Sequence, residues 1–523
     1  MSSLAGELAT RPRRTRNWAR WLVPDLALCL ALVTLFYCVF LFNAPRKLFR
    51  DADAGWHIRT GETILSTRSL PALDPYSFTR AGQPWFAWEW GADVLMGVAN
   101  TSAGLAGVVW LYVAAIAAVT WIWLRLNWAA GGNFFVACAF AAPMLSTVNL
   151  HWLARPHVFS WLLLLGFVLY FETPRIRFLP AHGVVLTAGG ALWANLHASF
   201  FLLPLLALLY AAGHLIRPLV WNLDAEVERG RAQWYGWAAL AAFAGTLLNP
   251  YGLPLFAHVA SYLAESELLD RVGEFQSFNF HVDGAGQILL MLGLAAMGGV
   301  LALLQKNVTH FLMTVLFLAA ALRSARGLPI AALVLLPLAN GALTDALRRV
   351  RELRPPLRRA LRDFLQYSDR LRLLDARCCG LMWAPVALLL ILGWLNVPLV
   401  AAQTGFAAED FPVYAAGELP LLTGDVRLLA PDKYGGYLIY RFAGKLKVFF
   451  DGRSDFYGAA FMKDYIRLME VRPGWQEQLE RFQFTHALLP VDAPLVPALE
   501  QSGWKKLYRD ETAVLFERPR PQL

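Results

Sequence analysis

Asp51, Asp53, His57, Arg59, Glu62, Asp74 and Glu89 fall in one stretch, DADAGWHIRTGETILSTRSLPALDPYSFTRAGQPWFAWEW, from Asp51 to Trp90. It follows the first strongly apolar run of a chain that is 57% hydrophobic and only 16% charged. Ionisable groups held against a bilayer are costly to desolvate, so their concentration here marks a candidate site of chemistry. Asp51 and Asp53, two residues apart, offer the hard oxygen ligands that suit Mg2+ or Mn2+. One of them could equally serve as a general base on an acceptor group. A third role is structural, because Asp favours a helix start and Asp53 to His57 reads as one. His57 and Arg59 suit phosphate binding, Arg as a two-point partner, or interfacial snorkelling. Trp56, Trp85, Trp88 and Trp90 read as an interfacial aromatic belt.

The elements that hold this stretch must be membrane helices. Mean hydropathy is +0.44, too apolar for a soluble globule. The net charge of +9 does not point to nucleic acid, because the basic residues concentrate in two places. Arg11, Arg13, Arg14, Arg16 and Arg20 mark residues 1–20 as a cytoplasmic basic tail, and ten further arginines lie within 343–379. A span follows at 21–43; it lacks a small-residue cleavage site and reads as an anchor, not a removed signal. Further apolar runs centre on 105–124, 133–148, 158–171, 181–195, 199–215, 235–248, 285–304, 309–322, 328–342 and 380–402. The expectation is an α-helical polytopic membrane protein with about 11 transmembrane helices over residues 21–402 and a first exterior loop at 44–104. With the tail inside, the arginine-rich loop also falls inside, so the positive-inside rule is met twice. Cys29, Cys38, Cys138, Cys378 and Cys379 show no disulfide or zinc spacing and read as small packing residues.

The same parity gathers polar motifs on one exterior face. These are the Asp51–Trp90 loop, HWLARPH with Arg155 and His157, the WANLH turn with Asn195 and His197, LNPYG, EFQSFNFH with Glu274, and RSAR with Arg323 and Arg326. Arg155, Arg323 and Arg326 could present guanidinium groups to a lipid phosphate, or anchor helices at headgroups. Asn195 and His197 suit either a binding surface or helix capping. Residues 403–523 differ in kind, with higher charge and short alternating runs, and read as an exterior α/β domain. Strands are expected at Val426–Leu429, Val448–Phe450, Ala487–Leu489 and Val514–Phe516, and helices at Phe461–Met469, Trp475–Phe482 and Val496–Gln501. There are no internal repeats or low-complexity tracts.

An acidic first exterior loop, about eleven spans and a C-terminal exterior α/β domain together resemble the GT-C class of membrane glycosyltransferases. That class includes oligosaccharyltransferase catalytic subunits and protein O-mannosyltransferases. The stretch PDKYGGYLIYRFAGKLKVFFDGR, Pro431 to Arg453, is similar to the oligosaccharyltransferase segment in which WWDYGY precedes a strand ending in Asp-Gly. Ala430 and Pro431 stand where the tryptophans would be, which departs from the pattern that recognises a peptide sequon. The whole chain also resembles a group of bacterial membrane proteins without an assigned activity.

The resemblance implies an enzyme of the bacterial inner membrane, N-terminus cytoplasmic and C-terminal domain periplasmic. It would transfer a sugar from a polyprenyl-phosphate-linked donor to an exterior glycan, lipid or protein in the cell envelope. It implies that Asp51 carries the catalytic-base or metal-ligand role, the metal being Mg2+ or Mn2+, with Asp53 as the alternative for either role and Glu89 as a second acidic group in catalysis. Substrate contacts would come from His57, Arg59, Arg155, His157, Asn195, His197, Arg323, Arg326, Tyr434, Asp451 and Arg453. The alternative is a non-catalytic membrane scaffold of an envelope-polysaccharide assembly. A transporter fits less well, because the spans carry almost no ionisable groups.

Overall fold

The computed structural model describes residues 19–173, 175–422 and 426–519. The arginines expected to form the start of the tail, Arg11 to Arg16, lie outside the described residues. Each apolar run read from the sequence falls on helix, for the reason expected: with no water in a bilayer core, the backbone must bond to itself. Among the described residues, five helices are long and apolar enough to cross a membrane: Trp90–Ala129, Phe134–His151, Ala198–Val220, Ala285–Leu304 and Gly327–Arg349. Five shorter apolar helices accompany them: Leu26–Leu41, His157–Phe171, Leu253–Ala264, Val308–Arg323 and Trp383–Leu395. The 40-residue helix from Trp90 loses helical geometry at Ala103 and Gly104, so its first turns belong to the loop that precedes the apolar run at 105–124.

One end of the helical body is closed by polar stitches. Asp25 accepts from the Leu28 N–H at 2.8 Å, capping the Leu26–Phe36 helix, and pairs with Arg125. Asp375, at the end of the arginine-rich helix Pro355–Asp375, accepts from Leu26 N–H at 2.5 Å and Trp128 Nε1 at 3.0 Å. Asn340, fully buried, donates to Asn127 Oδ1 at 2.9 Å and accepts from Asn133 N–H at 2.9 Å. Buried amides bonded in this way fix helix register at little cost in desolvation.

The polar motifs gather at the opposite end, beneath a four-stranded sheet of order β1-β2-β4-β3. The strands are Leu428–Leu429 (β1), His486–Pro490 (β2), Lys505–Arg509 (β3) and Ala513–Glu517 (β4). β1 and β2 run parallel, and the other pairs antiparallel. One expectation is corrected here, and two elements are added to those expected. Val448–Phe450 is no strand of this sheet: Val448 donates to Tyr76 O at 2.9 Å and accepts from Phe78 N–H at 3.1 Å, so it pairs with the Asp51–Trp90 loop. β3 escaped notice because its Lys505, Lys506 and Arg509 protect an exposed edge and break the apolar alternation. The helix Asp432–Arg441 was read as part of a motif, not as an element.

That helix carries the main contact between the sheet unit and the loop. It crosses the helix Asp53–Thr67 at two glycines. A β-carbon on Gly55 would lie 2.1 Å from Gly436 O, and one on Gly436 would lie 2.3 Å from Ala52 O. Only glycine permits backbones to meet this closely. The four tryptophans also depart from an interfacial belt. Trp56 and Trp85 are buried 6.2 Å apart, Trp88 faces the cavity described below, and Trp90 Nε1 donates to Asn195 Oδ1 at 2.7 Å.

Candidate functional site

Arg155 stands at the centre of the polar cluster. It sits in the turn before the helix His157–Phe171, and its guanidinium meets three carboxylates from two separate segments. Nη1 lies 2.6 Å from Asp51 Oδ2 and 3.0 Å from Glu274 Oε1, and Nη2 lies 2.8 Å from Asp53 Oδ2. The opposite side of Glu274 is held by Arg326, whose Nε is 2.5 Å from Oε2 and whose guanidinium lies over the Phe275 ring. Asp51 Oδ1 also accepts from the Asp53 N–H at 3.0 Å, which ties the start of the helix Asp53–Thr67 to the same cluster.

The environment separates the carboxylates. Burial, together with the charge of Asp51, pushes the Asp53 carboxyl up to about 7 against the pull of Arg155. Burial acts to raise Glu274 too, but Arg155 and Arg326 together hold it below the usual carboxylate range. Burial pushes Glu89, in the residue before the Trp90–Ala129 helix, up to about 8. Burial opposes the charge on Arg155, but its carboxylate partners hold its pKa well above the ordinary value.

A second line of groups runs behind the first. Burial, aided by Arg155, keeps His57 neutral, and its Nδ1 lies 2.5 Å from Asp93 Oδ1. With that nitrogen donating, Nε2 faces Glu89 Oε2 at 3.7 Å, and Glu89 Oε1 faces His197 Nε2 at 3.5 Å. His197 in turn accepts from Ser199 N–H at 3.2 Å; burial, then Arg326 and Arg155, lower its pKa to about 3.

Two openings meet this cluster, and a third adjoins the smaller of them. The largest is a cavity of about 910 Å³. Asp53, Glu89, His157, His197, Arg323 and Arg326 line its polar end, with Ser454 and Asp455 from the sheet side. Leu164, Leu202, Leu205, Phe317 and Ile330 carry it down between the apolar helices. Arg323 has no carboxylate partner among the described residues. A second opening, about 420 Å³, lies across the cluster and is lined by Asp51, Asp53, Glu274, Asp432 and Lys433. Asp53, Glu274 and Gly452 line both, so they form the wall between them, whereas Asp51 faces only the smaller. A β-carbon on Gly452 would lie 1.8 Å from Asp53 Oδ1, so the Asp-Gly-Arg turn presses its backbone against this carboxylate. The third opening adjoins the second at Arg50 and Leu150.

Other expected site residues lie elsewhere. Arg59 pairs with Glu62, donates to Tyr440 O at 2.9 Å and stacks on the Tyr440 ring, gripping the sheet unit instead of a phosphate. Asn195 donates to Ala191 O and Leu248 O and receives Trp90, joining helix ends. Tyr434 is buried in the sheet unit, its hydroxyl donating to Thr512 O at 3.2 Å. Asp451 is fully buried against Arg453, which also meets Asp74 at 2.8 Å and lies over the Trp85 ring. That knot fastens the loop to the sheet unit, although Arg453 also touches the cavity wall.

The carboxylates do not fit a divalent cation as they stand. Asp51, Asp53 and Glu274 all turn an oxygen to Arg155, which fills with one guanidinium the position a metal would need between them. Among the described residues no group of three or more His, Cys, Asp or Glu is placed to hold a metal ion.

Asp93, Glu274, Gly452 and Asp455 are the partners that sequence reading did not assign. Glu89 and Asp93 are spaced i, i+4, one face of a helix, but Asp93 sat at the entry to an apolar run. Glu274 was noticed only as part of a polar motif, since nothing local links it to Arg155, 119 positions away.

No known family profile matches the sequence, and no curated protein matches it. Solved structures do. The archaeal oligosaccharyltransferase AglB from Archaeoglobus fulgidus, in complex with an inhibitory peptide and a dolichol-phosphate, aligns at a TM-score of 0.52 and 10% identity, covering 89% of this chain and 69% of that one. The apo form of the Archaeoglobus fulgidus oligosaccharyltransferase aligns at a TM-score of 0.51 and 11% identity, with the same coverage. The chain therefore has the GT-C fold of these enzymes.

Proposed function

We propose that this protein is a membrane glycosyltransferase of GT-C type, taking a sugar from a polyprenyl-phosphate-linked donor on the exterior face of a bacterial inner membrane. In this reading about eleven helices form the membrane body. The observation that carries it is the position of Asp53 in the wall shared by two openings of different character. The larger cavity combines an apolar channel between helices with Arg323, Arg326 and His197 at its mouth, the chemistry that suits a lipid phosphate. The likeness to an enzyme solved with a dolichol-phosphate supports a lipid-linked donor on that side.

The roles then follow from the geometry. An acceptor hydroxyl enters from the smaller opening and gives its proton to the Asp53 carboxylate. Its oxygen attacks the anomeric carbon, the bond from that carbon to the phosphate oxygen breaks, and the polyprenyl phosphate leaves with the electron pair. Arg323, free of a carboxylate partner among the described residues, and Arg326 neutralise the departing charge. A pKa of about 7 suits Asp53 to a base at neutral pH, and its place on both openings, where Asp51 meets only the smaller, favours it over Asp51. Asp51 and Glu274 are positioning residues that hold Arg155, and no step is routed through a cation.

The test of the donor side is binding of a polyprenyl phosphate to the full-length protein in nanodiscs. Arg323→Ala should weaken it by roughly tenfold or more, the loss expected for one charge-assisted contact. Unchanged affinity in Arg323→Ala and in Arg323→Ala/Arg326→Ala would remove the phosphate from this cavity.

A further inference from the structure

The third opening, a groove of about 440 Å³, lies where the first apolar helix ends. There the chain widens into a π turn, Tyr37–Leu41, and reverses through Asn43 in the left-handed region (φ 57°). The reversal returns Arg46, Lys47 and Arg50 to the end of the span they follow, beside Tyr37, Leu41 and Phe42. Wide turns of this kind often mark functional positions within helices. The apolar side of the groove continues onto a face open to the bilayer, where Leu41 is 67% and Phe36 56% exposed.

Its charges are poorly matched from within. Arg46 meets Glu409 at 3.2 Å, but that carboxylate is 70% exposed, and such surface pairs hold little energy. Lys47 has no carboxylate partner among the described residues and lies over the Phe42 ring. Arg50 donates to backbone oxygens, Leu150 O at 2.5 Å and Asn149 O at 3.5 Å. Among the described residues, the one carboxylate lining the groove, Asp410, is taken by Lys433 at 3.1 Å. Three cations thus face a cleft with an apolar wall open to lipid. Past Arg50 the cleft passes into the smaller opening at Asp51 and Asp53, on the far side of Asp53 from the large cavity.

We infer that this groove binds the phosphate headgroup of an anionic membrane lipid, and that the sugar acceptor is therefore lipid-borne, approaching Asp53 from the bilayer. The lipid assignment rests on the groove alone; the acceptor role rests on the glycosyltransferase reading above. Guanidinium and ammonium groups recognise the phosphate, and Tyr37, Leu41 and Phe42 accompany the first part of an acyl chain. A hydroxyl on the headgroup would then lie toward Asp53, which takes its proton as the new bond to the anomeric carbon forms.

The experiment uses the full-length protein carrying a photo-crosslinking amino acid at Leu41, in nanodiscs of phosphatidylcholine with or without phosphatidylglycerol. Crosslinking to phosphatidylglycerol should exceed that to phosphatidylcholine, and Arg46→Glu/Lys47→Glu should reduce it about tenfold or more. Inorganic phosphate in large excess should not compete. Equal labelling of the two lipids, equal labelling in the charge-reversed variant, or displacement by inorganic phosphate alone would each overturn the lipid site. So would capture of a peptide at Leu41 in preference to lipid. Polyprenyl phosphate binding, measured on the same variant, should stay at the wild-type level and so reports an intact fold. If the wild-type protein binds no polyprenyl phosphate, the donor reading fails while the groove result stands by itself.

Discussion

Replacing Arg155 with Gln removes the one group that three carboxylates share. Each contact, at 2.6, 2.8 and 3.0 Å, is a charge-assisted hydrogen bond of roughly 1.5–3 kcal/mol when considered singly. The sum overstates the loss, for two reasons. Glu274 keeps Arg326, and Asp53, with its pKa of about 7, can become neutral near pH 7 at small cost. The remaining penalty falls at the low end of that for breaking a buried ion pair, about 3 kcal/mol. Asp51→Asn relieves part of it in advance. A double-mutant cycle of Arg155→Gln with Asp51→Asn should therefore show coupling of about 1–3 kcal/mol, the double variant losing less than the sum of the singles. The assay is unfolding by denaturing detergent in mixed micelles, followed by tryptophan fluorescence. A second readout tests the same clamp. Arg155 pulls the Asp53 pKa down, so without it the carboxyl ionises at higher pH, and the rising limb of any residual product formation should move above about 7. Additive destabilisation together with an unmoved limb would refute the clamp.

Two further perturbations test the frame around it. Gly436→Ala forces a methyl group to within 2.3 Å of the Ala52 carbonyl oxygen, so the sheet unit should lift from the loop at a cost of about 1–3 kcal/mol, seen as easier proteolysis after residue 403; unchanged protease resistance would show that the contact is not needed for docking. Cysteines at the exposed positions Ser69 and Glu511 should be labelled from outside the cell by an impermeant reagent and one at Gln366 should not; the reverse pattern would invert the orientation and place the candidate site in the cytoplasm.

Much of the helical body was legible because bilayer physics leaves a long apolar run few alternatives to helix. Asp53, Arg155, His197 and Arg326 could be singled out as candidates because parity gathers their motifs on one face, and the structure brings all four to one cavity. What escaped was pairing. Arg59 carries the same charge as Arg155, but a ring on Tyr440 and its carbonyl claim it, and those lie far along the chain. Asp451 and Arg453 entered through the resemblance as substrate contacts, yet they lock to Asp74 beneath Trp85 and serve the docking of two segments. Gly452, between them, has no chemistry of its own and matters only for the space it leaves to Asp53.

The most direct measurement of the central claim is product formation by Asp53→Asn beside Asp51→Asn, scored for protein level and glycan product in the same cells. The amide keeps the shape and can still accept one hydrogen bond from Arg155, but it cannot take a proton. With Asp53 as the base, Asp53→Asn should lower product by about 10²–10⁴-fold at normal protein level. Asp51→Asn, which only loosens the clamp, should retain a measurable share. Wild-type product from Asp53→Asn, or from the double variant, would contradict the account and leave the scaffold reading in its place.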